Sequence, residues 1–433
     1  MDILFEHVTA VTMDEASPVL EDAFVLVSGR KIVSVTRQEP EHFKGRRISG
    51  QNKVLMPGLV NAHTHIPMTL LRGYADGYDL QTWLNDYIFP AEAQLTERAV
   101  TAGTYLGLAE MIASGTTSFS DMYYFCDRIA QAAAAAGIQA NICRAVISFD
   151  PEYRFETDQA GIELRELKER WHGYDEGRIQ IEASIHGEYT SHEKVWRAVA
   201  GYAREHGLGM HVHVSETKKE HEECIARSGL TPAQTLDRAG VWDTRAQAAH
   251  CVWVSEEDLE LFARKKVTAV HNPVSNQKLA SGIAPVPAML RQGVNVALGT
   301  DGVASNNCHD LFGEMKSAAL IHKAATLDPT VIPALEVLKM ATAGGNAAQG
   351  RNGGRIEAGM DANLILLDFD KPHLTPCHSV VSNLVFAARG SDVVLTMVRG
   401  KVLYEKGEWK TIDLDAVMHE VRNYAVPKIL GRL

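Results

Sequence analysis

Over the first 57 residues short apolar runs alternate with polar positions: ILFEHVTAV, AFVLVSGRKIVSV and KVLMPG carry the two-residue period and glycine turns of small antiparallel strands. The same rhythm returns near the other end in NLILLDF and VVLTMVRGKVLYEKGEW. Neither terminal piece has enough apolar surface to stand alone, so the two ends are expected to pair into one small β-sandwich. Between them the period changes. Short apolar strands alternate with amphipathic helices, which predicts βα units around a parallel sheet. TSHEKVWRAVAGYAREHG is expected to open with Thr190 and Glu193 at capping-box spacing and to stop at Gly207. TPAQTLDRAG is expected to run from a Thr231 cap, with Pro232 in the first turn, to Gly240.

The strands RIQIEASIHG, GMHVHVSE, AQAAHCVWV, KVTAVHNPVS and VNVALGTDGV each reach a polar residue at the C-terminal end. In a (β/α)8 barrel the catalytic groups sit at those ends and come from several strands. The expected fold class is therefore α/β, a TIM-type (β/α)8 barrel over residues 58–349 with a composite β-sandwich built from residues 1–57 and 350–433.

Composition narrows the function rather than the fold. Apolar content of 45% and charged content of 22% are ordinary for a globular chain, and no run is long and uncharged enough for a membrane span. The opening MDILFEHVTAV has no basic region followed by a long apolar core, so no secretory leader is expected and a cytoplasmic location follows. Cys126, Cys143, Cys224, Cys251, Cys308 and Cys377 are scattered without C-x-x-C spacing, which argues against disulfides and against a cysteine zinc site. A net charge of -11 offers no basic stripe, so nucleic acid is not an expected partner and a small molecule is.

In LVNAHTHIPM, His63 and His65 lie two apart, so an extended backbone aims both imidazoles at one face. The pair alone is equally compatible with two unrelated histidines in a strand. Read in order, however, the strand ends supply His63 and His65, then His186, His213, His250, His271 and Asp301. Imidazoles and one carboxylate recurring at the same end of successive strands form the usual open donor set for zinc, and iron is also compatible. Neither P-C-x-x-C nor H-E-x-x-H occurs, which excludes two other kinds of zinc enzyme.

Beyond these residues, MPGLVNAHTHIPMTLLRG, YIFPAEAQLT, GTTSFSDMY, HVSET, AHCVWV, HNPVSNQKLASG, GTDGVASNN and GRIEAGMDANLILLD follow one another along nearly the whole chain. In these motifs the sequence resembles the amidohydrolase superfamily, and within it the 5-methylthioadenosine/S-adenosylhomocysteine deaminase family. The resemblance implies a metal held by His63, His65, His213 and Asp301, with Zn2+ the first expectation and Fe2+ or Mn2+ the alternatives. His211 shares a strand face with His213 and competes for the ligand role; the family pattern of a ligand histidine three residues before a glutamate favours His213, followed by Glu216. Some relatives bridge two metals with a carbamylated lysine. IEASIHG offers His186 and no lysine there, so one metal per subunit is expected and His186 is free to contact substrate.

The resemblance further implies that Glu216 protonates the ring nitrogen, that His250 orients the attacking water, and that Asp301 accepts its proton. Glu92 is expected to bind ribose hydroxyls. Arg144, with Arg154 as a second candidate, is expected to meet the carboxylate of S-adenosylhomocysteine; PEYRFE reads equally well as an exposed loop. Trp83 lies in a stretch expected to cover the pocket mouth. The implied reaction is hydrolytic deamination of an adenosine-type nucleoside to the inosyl product and ammonia. Competing readings are a related hydrolase of guanine, a pterin or a triazine, and a non-catalytic barrel. A homo-oligomer, dimer or tetramer, is expected because symmetric assembly is the general default.

Overall fold

The computed structural model describes residues 2–431. The N-terminal strands are β1 (Ile3–Val11), β2 (Val19–Ser28), β3 (Lys31–Thr36), β4 (Arg46–Ser49) and β5 (Lys53–Pro57). The barrel follows with β6 (Leu59–Thr64), β7 (Thr116–Tyr123), β8 (Gln139–Val146) and β9 (Ile179–Ile185). It continues through β10 (Met210–Val214), β11 (Ala246–His250), β12 (Thr268–His271) and β13 (Val296–Leu298). The C-terminal strands are β14 (Leu364–Asp368), β15 (Val393–Val398), β16 (Lys401–Glu405) and β17 (Glu408–Trp409).

The two ends meet in one mixed nine-stranded sheet of order β17-β16-β15-β14-β5-β1-β2-β3, with β4 added beside β1. The seam is β5 against β14, antiparallel from Lys53↔Asp368 to Pro57↔Leu364. The sheet curls around its own core, in which Phe5, Val25, Ile32, Leu55, Leu366 and Met397 are buried together. Trp409 Nε1 and Thr396 Oγ1 then donate to the carbonyls of Ala109 and Ile112 and fasten it to the barrel helix Glu97–Ala113.

Gly58 joins β5 to β6 with no space for a side chain: a Cβ there would lie 2.1 Å from Thr117. The register of the terminal sheet is thereby coupled to the first barrel strand. β6 to β13 form an eight-stranded parallel sheet in chain order. It closes where Asp301 N donates to the His63 carbonyl at 3.0 Å and Asn61 exchanges hydrogen bonds with Thr300. Beneath the site the barrel is plugged by polar groups. The buried Glu182 accepts from Asn141, Arg245 and Gln247 at 2.6–2.7 Å, which satisfies a carboxylate far from water.

Two helix starts test the local reading. Thr231 caps Pro232–Arg238 as expected, and Gln234 completes a capping box with it. The helix Glu193–His206 instead starts after His192, because the Thr190 hydroxyl is spent closing the preceding turn on Gly187. No helix among the described residues is long and apolar enough to cross a membrane.

Candidate active site

His63, His65 and His213 come together at the C-terminal mouth of the barrel, each with one ring nitrogen already committed. His63 Nδ1 lies 2.9 Å from His211 Nε2, His65 Nδ1 lies 2.5 Å from the Met122 carbonyl, and His213 Nδ1 lies 2.7 Å from the His186 carbonyl. A carbonyl can only accept, so His65 and His213 carry a proton on Nδ1 and direct Nε2 at the site. His63 Nε2 is buried with no hydrogen-bond partner. Asp301 Oδ1 stands 3.4 Å from His63 Nε2 and 3.2 Å from His65 Nε2, and His213 Nε2 is 3.3 Å from His65 Nε2.

Donor atoms so close repel unless a proton or a cation lies between them. Tetrahedral zinc bonds of about 2.0–2.1 Å require donor separations of about 3.3–3.4 Å, which these three separations match; His63, His65 and His213 lie within 4.8 Å of one another, and Asp301 lies likewise with His63 and His250, so the donor set suits such an ion. Burial holds His63 and His213 neutral by pushing their pKa values well below the usual histidine range. Burial would also lower His65, but the adjoining Asp301 outweighs it and raises the ring to about 9. Cation binding at neutral pH must therefore displace a proton.

Asp301 is held from behind. Its Oδ2 accepts from Ser275 Oγ at 2.6 Å and from Ser305 Oγ at 2.8 Å. Burial would raise its pKa; the contacts with His63 and His65 prevail and keep it well below the usual carboxylate range. Its backbone is left-handed at φ 61°, as are Ser215 at 48° and His250 at 71°. Each costs about 1–2 kcal/mol in a non-glycine residue, and all three lie where strands hand side chains to the site.

His250 Nδ1 donates to Asn276 Oδ1 at 2.8 Å, which leaves Nε2 facing Glu216, 3.8 Å away. Burial raises the Glu216 pKa, partly offset by His250. The Ser215 and Glu216 amides both donate at 2.8 Å to Glu220, whose carboxyl burial pushes up to about 8. The carboxyl of Glu216 stays uncommitted while its backbone is fixed.

A cavity of about 720 Å3 opens over these groups, lined by His65, His213, Glu216, His250 and Asp301 below and by Glu92, Arg144 and His186 on its walls. Trp83 is buried in a continuous helical stretch from Leu80 to Glu92 and lines the same space. His186 contributes a ring whose Nδ1 has no partner. Arg144 donates to Glu163 at 2.6 Å and reaches the wall half-buried.

Arg154 is the one site candidate that the fold keeps apart from the rest: it is exposed and absent from the lining, because the buried Tyr153 and Phe155 on either side turn it outward. His211 sits a layer deeper than His213, and His271 pairs with His322 at 3.1 Å outside the cavity. Sequence reasoning missed Glu220, Ser275, Asn276 and Ser305. Only Glu220 carried a local signal, three residues after the helix cap Thr217. The other three are polar residues of two short helices, Pro273–Lys278 and Val303–Asn306, with no pattern that separates a support from a surface group.

His211 supplies a test of how the donors are held. His211→Ala removes the acceptor that orients His63, and metal affinity is expected to fall about 10–100-fold. Competition with a chromogenic chelator measures it; unchanged affinity would show that His63 is oriented without His211.

A (β/α)8 barrel with three imidazoles and a carboxylate converging on an open cavity defines a barrel hydrolase built around a cation site. The chain belongs to the amidohydrolase family, whose model matches residues 54–403 and whose members are typically metal-dependent. It is 42% identical over 428 residues to a 5-methylthioadenosine/S-adenosylhomocysteine deaminase of Thermoanaerobacter pseudethanolicus, covering 98% of this chain and 99% of the relative. It is 43% identical over 424 residues to a 5'-deoxyadenosine deaminase of Methanosarcina mazei, covering 98% of each. A zinc-bound adenosine deaminase from Xanthomonas campestris superposes with a TM-score of 0.93 at 35% identity over 99% of both chains. The protein is thus a hydrolase of C–N bonds.

Proposed function

We propose that this enzyme removes the 6-amino group of adenosine-type nucleosides, among them 5-methylthioadenosine, S-adenosylhomocysteine and 5'-deoxyadenosine, releasing ammonia and the inosyl product. The observation that carries the reading is the meeting, in one cavity, of the donors His65, His213 and Asp301, backed by His63, with a buried, uncommitted Glu216 and with Glu92 on the wall. We assign one divalent metal, zinc first, to His63, His65, His213 and Asp301. When bound, such an ion lowers the pKa of water to about 7 and so supplies a nucleophile at neutral pH.

The residues divide the remaining work. Glu216, whose carboxyl burial shifts toward the protonated form, gives a proton to the ring nitrogen beside the amino-bearing carbon and makes that carbon electrophilic. Asp301 takes a proton from the attacking water and passes it to the departing amine. Its low pKa keeps it ionised and able to accept, and the two serine hydroxyls fix its orientation. His250 Nε2 orients the water and steadies the charge that develops on attack. His186 meets the nucleoside from the opposite wall, Glu92 accepts the ribose hydroxyls, and Arg144 faces the 5' substituent.

Metal-loaded protein is expected to shift the ultraviolet spectrum of these nucleosides from adenine-like to hypoxanthine-like with matching ammonia release. A nucleoside panel with no shift would remove the proposal.

Glu92 adds a pH dependence with a defined sign. Burial pushes its carboxyl up to about 7, opposed by Tyr123 and by the charge of His65. The carboxylate that accepts both diol hydroxyls is present above that pKa and lost below it. KM for nucleosides should therefore rise as pH falls through about 7. Glu92→Gln should flatten this limb, and Glu92→Ala should raise KM about 10–100-fold with a smaller change in kcat. Initial rates across pH check both; a flat wild-type KM, or equal damage to free-base turnover, would end the diol role.

A further inference from the structure

Among the described residues the cavity is lined by one lysine or arginine, Arg144, and that guanidinium is already engaged. Its Nε donates to Glu163 Oε2 at 2.6 Å and its Nη1 to the Ala145 carbonyl at 2.5 Å. Gln159 holds the other Glu163 oxygen at 3.1 Å, and the Tyr124 ring lies under the guanidinium at 5.0 Å. An arginine grips a carboxylate as a fork through Nε with one Nη, or through both Nη. Two of its five N–H groups are committed here, which closes the fork through Nε and leaves one N–H on Nη1 and both on Nη2 beside a guanidinium whose charge Glu163 already compensates.

Glu163 stands behind Arg144. It lines a second opening beside Glu97, Glu166 and Arg170 and does not line the site cavity. A substrate therefore meets the arginine's charge already compensated, while the neutralising carboxylate is out of reach for an incoming ammonium. The carboxyls that do line the cavity are Glu92, Glu216 and Asp301, each with a role in the reaction. The rest of the wall includes Leu80, Leu84, Ile88, Phe89 and Ile147, all apolar. Arg154, the other arginine considered for an amino-acid tail, is exposed.

Resting on the nucleoside-deaminase reading above, we infer that Glu163 is a specificity-determining residue: by occupying Arg144 it favours adenosine nucleosides with an uncharged, apolar 5' substituent over those with an amino-acid tail. A methylthio or hydrogen substituent leaves the Arg144–Glu163 pair intact and buries apolar surface against the wall. A zwitterionic tail has to compete with Glu163 for the fork through Nε, meets a guanidinium whose charge is already compensated, and leaves its ammonium without a partner, an uncompensated desolvation.

The test is a panel of 5-methylthioadenosine, 5'-deoxyadenosine and S-adenosylhomocysteine with the metal-loaded wild type and Glu163→Gln. Wild-type kcat/KM should be about tenfold higher for the two apolar nucleosides. Glu163→Gln should raise the S-adenosylhomocysteine to 5-methylthioadenosine ratio about fivefold or more, mainly through KM, because a neutral amide releases the fork. A wild type that prefers S-adenosylhomocysteine overturns the inference even if the variant does not fold, as does a ratio unmoved by the substitution. Failure of every nucleoside to react is a different result: it removes the deaminase reading and this inference with it.

Discussion

Glu216→Gln should lower kcat for nucleoside deamination by about 10^2–10^4-fold, the usual worth of a positioned proton donor, while metal content stays at the wild-type level. The side chain of Glu216 makes no hydrogen bond that supports the fold; its backbone amide, not its carboxyl, is tied to Glu220. Glutamine fills the same volume and cannot deliver a proton to the ring nitrogen. Ammonia release under saturating substrate, with metal analysis of the same sample, separates loss of the proton from loss of the cation. The pH profile carries the sign as well. Because burial raises the Glu216 pKa, the active protonated form persists above the ordinary glutamic range and is lost as pH rises through the shifted value. Retention of kcat in the glutamine variant would exclude Glu216 as the donor.

Stripping the metal should have the largest effect of all. Chelation is expected to cut turnover by more than about 10^3-fold, because the nucleophile at neutral pH depends on a water whose pKa otherwise stays near about 15.7. One equivalent of zinc per subunit should restore it. Stability should fall with activity, since the cation ties together the donors that His63, His65 and His213 aim at one point beside Asp301. At a free metal concentration of about 1,000 Kd, binding contributes about 4 kcal/mol to the folded state, enough to move Tm by several degrees. A melting curve with and without chelator reads this independently of catalysis. Activity that survives exhaustive chelation, with metal below a tenth of an equivalent, would rule out the four-donor cluster as the origin of the nucleophile.

The two experiments also mark what could be read from the chain. The H-x-H pair in β6, the H-V-S-E run at the end of β10 and the aspartate after β13 are local patterns, because strand alternation aims a side chain without help from distant residues. The pairing of the two termini was legible for a similar reason: each end repeats strand, glycine turn, strand and lacks the apolar area to close a core alone. The cap of Glu193–His206 was misread because the Thr190 hydroxyl has a second acceptor, and only the turn at Gly187 shows which one it takes. Arg154 and Arg144 look alike in sequence, yet one side chain is turned to solvent by its buried neighbours and the other is drawn to the wall by Glu163.

By itself the sequence determined the order of strands and helices, the residue types available at each strand end, and the family to which the chain belongs. Only the tertiary structure decided which nitrogen of each histidine is spent, what holds Asp301 and His250 in line, and that the cavity's lone arginine is already paired. Periodicity is a property of the backbone and survives in one dimension. Hydrogen-bond partners separated by 19 to 148 residues, as Arg144 from Glu163 and His63 from His211, exist only once the barrel closes.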